Sequence, residues 1–293
     1  MGTGGSIILA VRRRDFALTI GAAAALVKTQ VVAGQTNKIV RKGRLKQSAM
    51  RVNFPADTPL EDICREAARL GCHGLDLIAA KDWPVLRKYG LLPTIANEGP
   101  LTFEDGLIRP RAGLEKDVAA HIDQCADGGC PAFIAVGGQR KGMSYEEGAD
   151  RAVAFLNQIK PHAEGRNVGV YLEVMNQVDR PDQICNHLDW GVNVCKRVNS
   201  PKIKMLFDIY HVQIMDGDVC HRIRENFQWI GHFHTAGVPG RHEIDGTQEL
   251  NYHFIAQTIA DLGYGGYVAH EHRPSPGHDP VKSLAIGLDI MDV

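Results

Sequence analysis

The sequence predicts an α/β fold: a single (β/α)8 barrel of the TIM type. A β-then-α rhythm runs from residue 44 to the end, with eight apolar segments of strand length. Removing a distinct N-terminal segment leaves about 260 residues, the usual size of one such barrel. No G-x-G-x-x-G follows the first strand, no P-loop is present, and no low-complexity linker interrupts the rhythm. A doubly wound nucleotide-binding sheet therefore has no support.

The elements follow in order. Leu45–Asn53 reads as a strand. Thr58 is expected to cap the next helix, with Pro59 in its first turn, Glu61 three residues after the cap and Gly71 as its stop. Gly74–Ile78 is a second strand, Trp83–Tyr89 a short helix closed by Gly90, and Leu92–Asn97 a third strand. An irregular stretch covers residues 98–112, and Leu114–Ala126 is helical. Phe133–Gly137 is the fourth strand, and Ser144 with Glu147 forms a helix start. Val168–Val174, Ile203–Ile209, Trp229–Thr235 and Tyr267–Glu271 are strands five to eight, the seventh helix ending at Gly263.

The chain has 293 residues, 44% hydrophobic and 23% charged, with 33 Lys+Arg against 34 Asp+Glu. That composition excludes a disordered, collagen-like or small disulfide-stapled chain. A formal charge of −1 offers no global basic field for nucleic acid. Residues 1–34 stand apart. Arg12-Arg13-Arg14-Asp15-Phe16 precedes the apolar run Ala17–Val27, and Val31-Val32-Ala33 suits a signal peptidase. The pattern resembles a twin-arginine export signal, which implies periplasmic delivery of residues 35–293. The run is short and Ala-rich for a membrane span, so no stable membrane insertion is expected once it is removed. Without residues 1–34 the formal charge becomes −4. Seven scattered cysteines, none in a C-x-x-C pair, argue against a disulfide framework or Cys zinc site. Free thiols fit a protein that folds in the reducing cytoplasm before export.

In such barrels, chemistry gathers at the C-terminal ends of the strands. The last four strands each end on an acid or imidazole: Glu173, Asp208, His234 and Glu271. Their spacings are 35, 26 and 37 residues, each about one β/α unit. Four such side chains would converge beside the barrel axis. Three buried carboxylates repel one another in low dielectric unless a cation joins them. Three oxygen donors and one nitrogen suit one divalent ion: Mn²⁺, Mg²⁺, Co²⁺ or Zn²⁺.

Longer segments then resemble a known family. Arg44-Leu45-Lys46-Gln47-Ser48, the run Asp208–Asp218 (DIYHVQIMDGD) and Val238-Pro239-Gly240-Arg241-His242-Glu243 resemble the hydroxypyruvate isomerases. Leu172–Asn176 and Gly266–Glu271 fit the same pattern. That family belongs to the xylose-isomerase-like barrels, and the similarity covers roughly residues 44–275. The resemblance implies a metal held by Glu173, Asp208, His234 and Glu271, with Glu173 and Glu271 also moving protons. It further implies that His211 approaches a substrate oxygen and that Arg241 faces a hydroxyl or carboxylate. Those isomerases usually carry Gln where this chain has His234, a feature closer to ketose 3-epimerases. His272 stands where Tyr is frequent, and Asn97–Arg111 departs from the pattern.

The expected activity is isomerisation or epimerisation of an α-hydroxy carbonyl compound, a sugar or keto acid, through a cis-enediolate. A metal-dependent lyase on keto-sugars and a non-catalytic barrel binding protein are the alternatives. An endonuclease would need more metal ligands and a basic groove. No nucleic-acid partner is expected, and a homo-oligomer is compatible with the sequence. His232 is expected on the opposite face of its strand from His234, supporting the site's ligands or in packing. His270 is expected to face the helices, His242 and His272 to line the pocket or meet solvent, and Trp83, Trp190 and Trp229 to sit in the core.

Overall fold

The structure is a computed structural model that describes residues 1–2 and 38–293. The expected export segment lies outside the described residues. Within Thr36–Val293, eight parallel strands form one sheet: β1 Lys46–Met50, β2 Gly74–Asp76, β3 Leu92–Pro93, β4 Ala132–Ala135, β5 Gly169–Glu173, β6 Ile203–Asp208, β7 Ile230–Thr235 and β8 Tyr267–His270. Their order is β3-β2-β1-β8-β7-β6-β5-β4. The ring closes between β3 and β4 through a parallel bridge, Ala96 to Phe133. There the Ala96 amide donates to the Ala132 carbonyl at 2.8 Å, and the Ile134 amide to the Ala96 carbonyl at 3.1 Å. This is a closed (β/α)8 barrel.

Helices α1 Leu60–Arg69, α2 Trp83–Lys88, α3 Leu114–Asp127, α4 Tyr145–Gly165, α5 Leu188–Val198, α6 Ile209–Met215, α7 Val219–Asn226, α8 Tyr252–Asp261 and α9 Pro280–Ile290 fill the connections. Ser144 caps α4 as expected, its hydroxyl accepting from the Glu147 amide at 3.1 Å. Gly71, Gly90 and Gly263 all lie at positive φ just past a helix, where a side chain would be strained.

Three expectations change. Thr58 does not cap α1: Pro59 takes that position, and no side chain caps the helix. The first strand stops at Met50, because a tight turn at Arg51–Asn53 follows and Asn53 Oδ1 accepts from the Met50 amide at 2.7 Å. The regular third strand covers only Leu92–Pro93, although pairing runs on beyond it: the Thr94 amide donates to the Leu75 carbonyl at 3.2 Å and the Leu77 amide to the Ile95 carbonyl at 2.9 Å.

Outside the barrel wall, apolar side chains pack against the helices. Phe233 meets Tyr264 edge to face, centroids 4.9 Å apart, and packs tilted against Phe207 at 5.6 Å. Trp83 and Trp190 are buried, with indole N–H groups donating to the carbonyls of Ile78 and Tyr145 at 2.8 Å; Trp229 is half-buried against the same core. All seven cysteines are free.

The interior is layered. The Tyr171 ring lies across Gly169 and Gly231, where any side chain would collide with it. Gly74 serves the same purpose at β2, because a Cβ there would sit 2.1 Å from the Leu92 carbonyl oxygen and 2.8 Å from the Thr94 methyl. Gly74→Ala is therefore expected to cost about 2–3 kcal/mol by overpacking. An unchanged urea midpoint would contradict that close approach.

Candidate active site

Strand periodicity builds the site. Residues two apart on a strand share a face, so Tyr171 and Glu173 both point inward, as do Leu206 and Asp208. At the C-terminal rim, Glu173, Asp208, His234 and Glu271 each bring one ligand atom within 4.8 Å of the others. The strands that carry them, β5 to β8, are neighbours in the sheet. The four residues picked out by spacing thus come together.

His234 Nδ1 lies 2.7 Å from Glu271 Oε2 and 3.8 Å from Glu173 Oε1. Yet Nδ1 and Glu271 Oε2 have no hydrogen-bond partner, although both atoms are buried. Arg241 enters the same group. Its Nη2 is 2.9 Å from Asp208 Oδ2 and 2.5 Å from Glu271 Oε1, and its guanidinium stacks 4.9 Å over the Tyr210 ring. Arg241 sits at φ +60 directly after Gly240, a strained backbone held by hydrogen bonds to Gly237 and from Arg273.

His211, one turn into α6, is 3.4 Å from Asp208 Oδ2 and 3.1 Å from Arg241 Nη1, each through Nε2. The Asn176 backbone amide donates to its Nδ1 at 3.1 Å. Nε2 in turn faces the Arg241 guanidinium, which only donates, so both ring nitrogens meet donors. Burial first, then Arg241, lower the pKa of His211 to about 4, so the ring is neutral at pH 7.

Charge is unevenly spread over the carboxylates. Burial raises Asp208 to about 6 against the opposing pull of Arg241. Burial also raises Glu173, with Glu271 adding to it and His234 opposing. Glu271 goes the other way: burial works against its charge, but Arg241 and His234 outweigh it and hold the carboxyl below the usual range. His234 is raised despite its burial, because Glu271, Asp76 and Glu173 surround it.

Asp76 was not picked out from the sequence. It is fully buried at the end of β2. Its Oδ2 lies 2.7 Å from His232 Nε2 and 3.1 Å from His234 Nε2, while Oδ1 accepts from the Ser48 hydroxyl at 3.1 Å and from the Thr94 hydroxyl. Burial opposes its charge, but the two imidazoles prevail and keep it ionised. The signal in the sequence was a lone carboxylate between Leu75 and Leu77 in an apolar strand.

The face expected for His232 is accordingly corrected, while its supporting role holds, since it bonds the same Asp76 oxygen as His234. It shares the inward face with His234, because residues two apart on a strand point the same way. His270 faces the helices as expected, bonding Gln47 Oε1 at 2.9 Å and Thr235 Oγ1 at 3.2 Å. His272 neither lines the pocket nor meets solvent; it is buried, 3.1 Å from the Ser283 hydroxyl. His242 bonds the Arg273 carbonyl at 2.9 Å.

Glu243 anchors the loops behind Arg241. It accepts from the Ser275 amide and hydroxyl at 2.9 and 2.6 Å and from the Ser283 hydroxyl at 2.9 Å. Burial opposes the charge, but these donors hold the carboxyl down to about 2. A depressed pKa contributes stability above the unfolded value, here 4.5, and that contribution is lost as pH falls toward 2. Glu243→Gln is expected to cost about 1–3 kcal/mol at pH 7, with the difference from wild type narrowing by pH 4. Urea midpoints at both pH values check this; a pH-independent gap would refute the charged role.

The fold and site together define a closed barrel with an acidic, imidazole-bearing pocket on its C-terminal strand ends. Residues 64–291 match the xylose isomerase-like TIM barrel model, and the chain belongs to that family. Two curated relatives are a 2-oxo-tetronate isomerase of Cupriavidus necator, 40% identical over 115 residues (39% of this chain, 44% of that one), and a provisionally named hydroxypyruvate isomerase of Homo sapiens, 30% identical over 169 residues (54% and 58%). The chain thus spans less than half the length of the first of these relatives. Among solved structures, an AP endonuclease, family 2, from Brucella melitensis shares the fold at TM-score 0.75 and 24% identity (83% of this chain, 97% of that one). A D-psicose 3-epimerase from Clostridium cellulolyticum H10 shares it at TM-score 0.70 and 19% identity (84% and 98%).

Proposed function

We propose that this chain is a divalent-metal-dependent isomerase or epimerase of an α-hydroxy carbonyl compound, a keto acid of the hydroxypyruvate kind or a sugar. One observation carries the reading. Three carboxylates meet an imidazole nitrogen at the barrel mouth, and that nitrogen and a facing carboxylate oxygen are buried without hydrogen bonds. This donor set fits a hard or borderline cation, with Glu173, Asp208, His234 and Glu271 as its ligands. Bound there, Mn²⁺, Mg²⁺, Co²⁺ or Zn²⁺ would polarise the substrate carbonyl and acidify the adjacent C–H.

The protein groups divide the remaining work. Glu173 and Glu271 stand on the outer two of four adjacent strands, so one can take the carbon-bound proton and the other return it. Removal leaves an enediolate. A proton returned to the neighbouring carbon gives isomerisation; one returned to the same carbon from the opposite face gives epimerisation. His211, a neutral imidazole beside Asp208 and Arg241, would meet a substrate oxygen. Arg241 pairs with a substrate hydroxyl or carboxylate.

The names of the two curated relatives support the isomerase half of this reading. Export to the periplasm remains part of the proposal, resting on Arg12-Arg13-Arg14 and the apolar run after it. Among the described residues, no helix is long and apolar enough to cross a membrane. That same export segment favours a second reading, a lyase acting on unphosphorylated 3-keto-glycosides by the same proton removal.

A substrate panel in D₂O with Mn²⁺ tests the proposal: hydroxypyruvate, 2-oxo-tetronate, free ketoses, inososes and 3-keto-glycosides. Deuterium gained at the carbon beside the carbonyl, with isomer or epimer formed, supports it. Elimination products point to the lyase. Inertness toward the whole panel points to a barrel that only binds.

A further inference from the structure

Beneath the four rim residues lies a second polar group: Ser48, Asp76, Thr94 and His232, all buried. It reaches the rim through His234, whose Nε2 contacts Asp76 at 3.1 Å. Asp76 meets four protein groups, two at each oxygen. A carboxylate with its acceptor sites filled by hydroxyl and imidazole donors has no lone pair left for an ion. The two imidazole Nε2 atoms are likewise directed at Asp76. The group is therefore a hydrogen-bonded support and not a second cation site.

A carboxylate that accepts from Nε2–H decides where the imidazole lone pair lies. With the proton on Nε2 held by Asp76, Nδ1 is the nitrogen whose proton a metal would displace at the rim. Nδ1 is the buried nitrogen that lacks a hydrogen bond and stands 2.7 Å from Glu271 Oε2. His232 also contacts Asp76 Oδ2, and its ring meets the His234 ring edge-on at 86°, centroids 5.1 Å apart. That contact holds the plane of His234 as well as its tautomer.

We propose that Asp76 is a positioning residue of the metal site: it fixes the tautomer and orientation of His234 so that Nδ1 is the metal-binding nitrogen. The proposal rests on the metal reading above. Such partners of a ligating histidine are worth about 10- to 100-fold in metal affinity.

The test titrates purified metal-free protein with Mn²⁺, following free Mn²⁺ by electron paramagnetic resonance. Wild type is expected to bind one ion per chain, and Asp76→Asn one ion about 10- to 100-fold more weakly. Equal affinity in the variant overturns the proposal and leaves the metal reading intact. Two ions in wild type, with one lost in Asp76→Asn, also overturn it, because Asp76 would then be a ligand. If wild type binds neither Mn²⁺ nor, by calorimetry, Mg²⁺, Co²⁺ or Zn²⁺, the metal reading ends and this inference with it. A second measurement needs no variant and survives misfolding of Asp76→Asn: nitrogen-15 resonances of histidine-labelled, Zn²⁺-loaded wild type. The His234 proton is expected on Nε2; a proton on Nδ1 overturns the assignment.

Discussion

Glu271→Gln is expected to lower turnover by about 10³-fold while the barrel stays folded. Gln matches Glu in size and keeps one oxygen, so Arg241 retains a partner at the rim. What disappears is a carboxylate able to hold a proton. In wild type that carboxylate is kept ionised, against its burial, by Arg241 and His234, which suits it to the role of base. The measurement is deuterium incorporation from D₂O into whichever panel substrate the wild type turns over. Circular dichroism and thermal melting run alongside to show that the fold is intact. Full exchange in the variant would sink the acid–base assignment of Glu271. Loss of exchange together with loss of fold would show a structural role instead.

Chelation has the second-largest expected effect. EDTA should abolish turnover, with Mn²⁺ restoring it, and should lower the melting temperature. Glu173, Asp208 and Glu271 place ligand atoms within 4.8 Å of one another, so an ion leaving this group exposes three carboxylates to mutual repulsion. An ion present at about 1,000 times its Kd stabilises the folded state by ~4 kcal/mol. For a domain of this size that corresponds to a shift of roughly 8–16 °C. The metal-free protein should nevertheless remain folded, because Arg241 bridges Asp208 and Glu271. An unchanged melting temperature and undiminished turnover in EDTA would rule out the metal.

The barrel was legible because its signals are local. Gly71, Gly90 and Gly263 mark helix ends within a few residues, and Ser144 with Glu147 marks a start. The rim residues were legible because each closes an apolar strand about one β/α unit after the last. Asp76 escaped because its meaning depends on a partner 156 residues away, His232, and no local pattern encodes that pairing. His232 was misplaced through strand parity, since the alternation that separates neighbours unites residues two apart. The cap at Thr58 failed because the backbone before Pro59 turns through Pro55–Thr58 rather than presenting the hydroxyl to the helix. The third strand is shorter as a regular ladder than the apolar pattern suggests, but Thr94, Ile95 and Ala96 carry its pairing on to β2 and β4.

The single bridge at Ala96 has a consequence for how the molecule breathes. Elsewhere the wall is stitched by ladders of two to four residue pairs, but between β3 and β4 it holds through one residue. Sub-global opening starts where cross-links are fewest. The rim ligands sit on β5 to β8, an unbroken run of paired strands that excludes this gap. The barrel can therefore part along one side and reclose while the geometry of the ligand set stays clamped on the other.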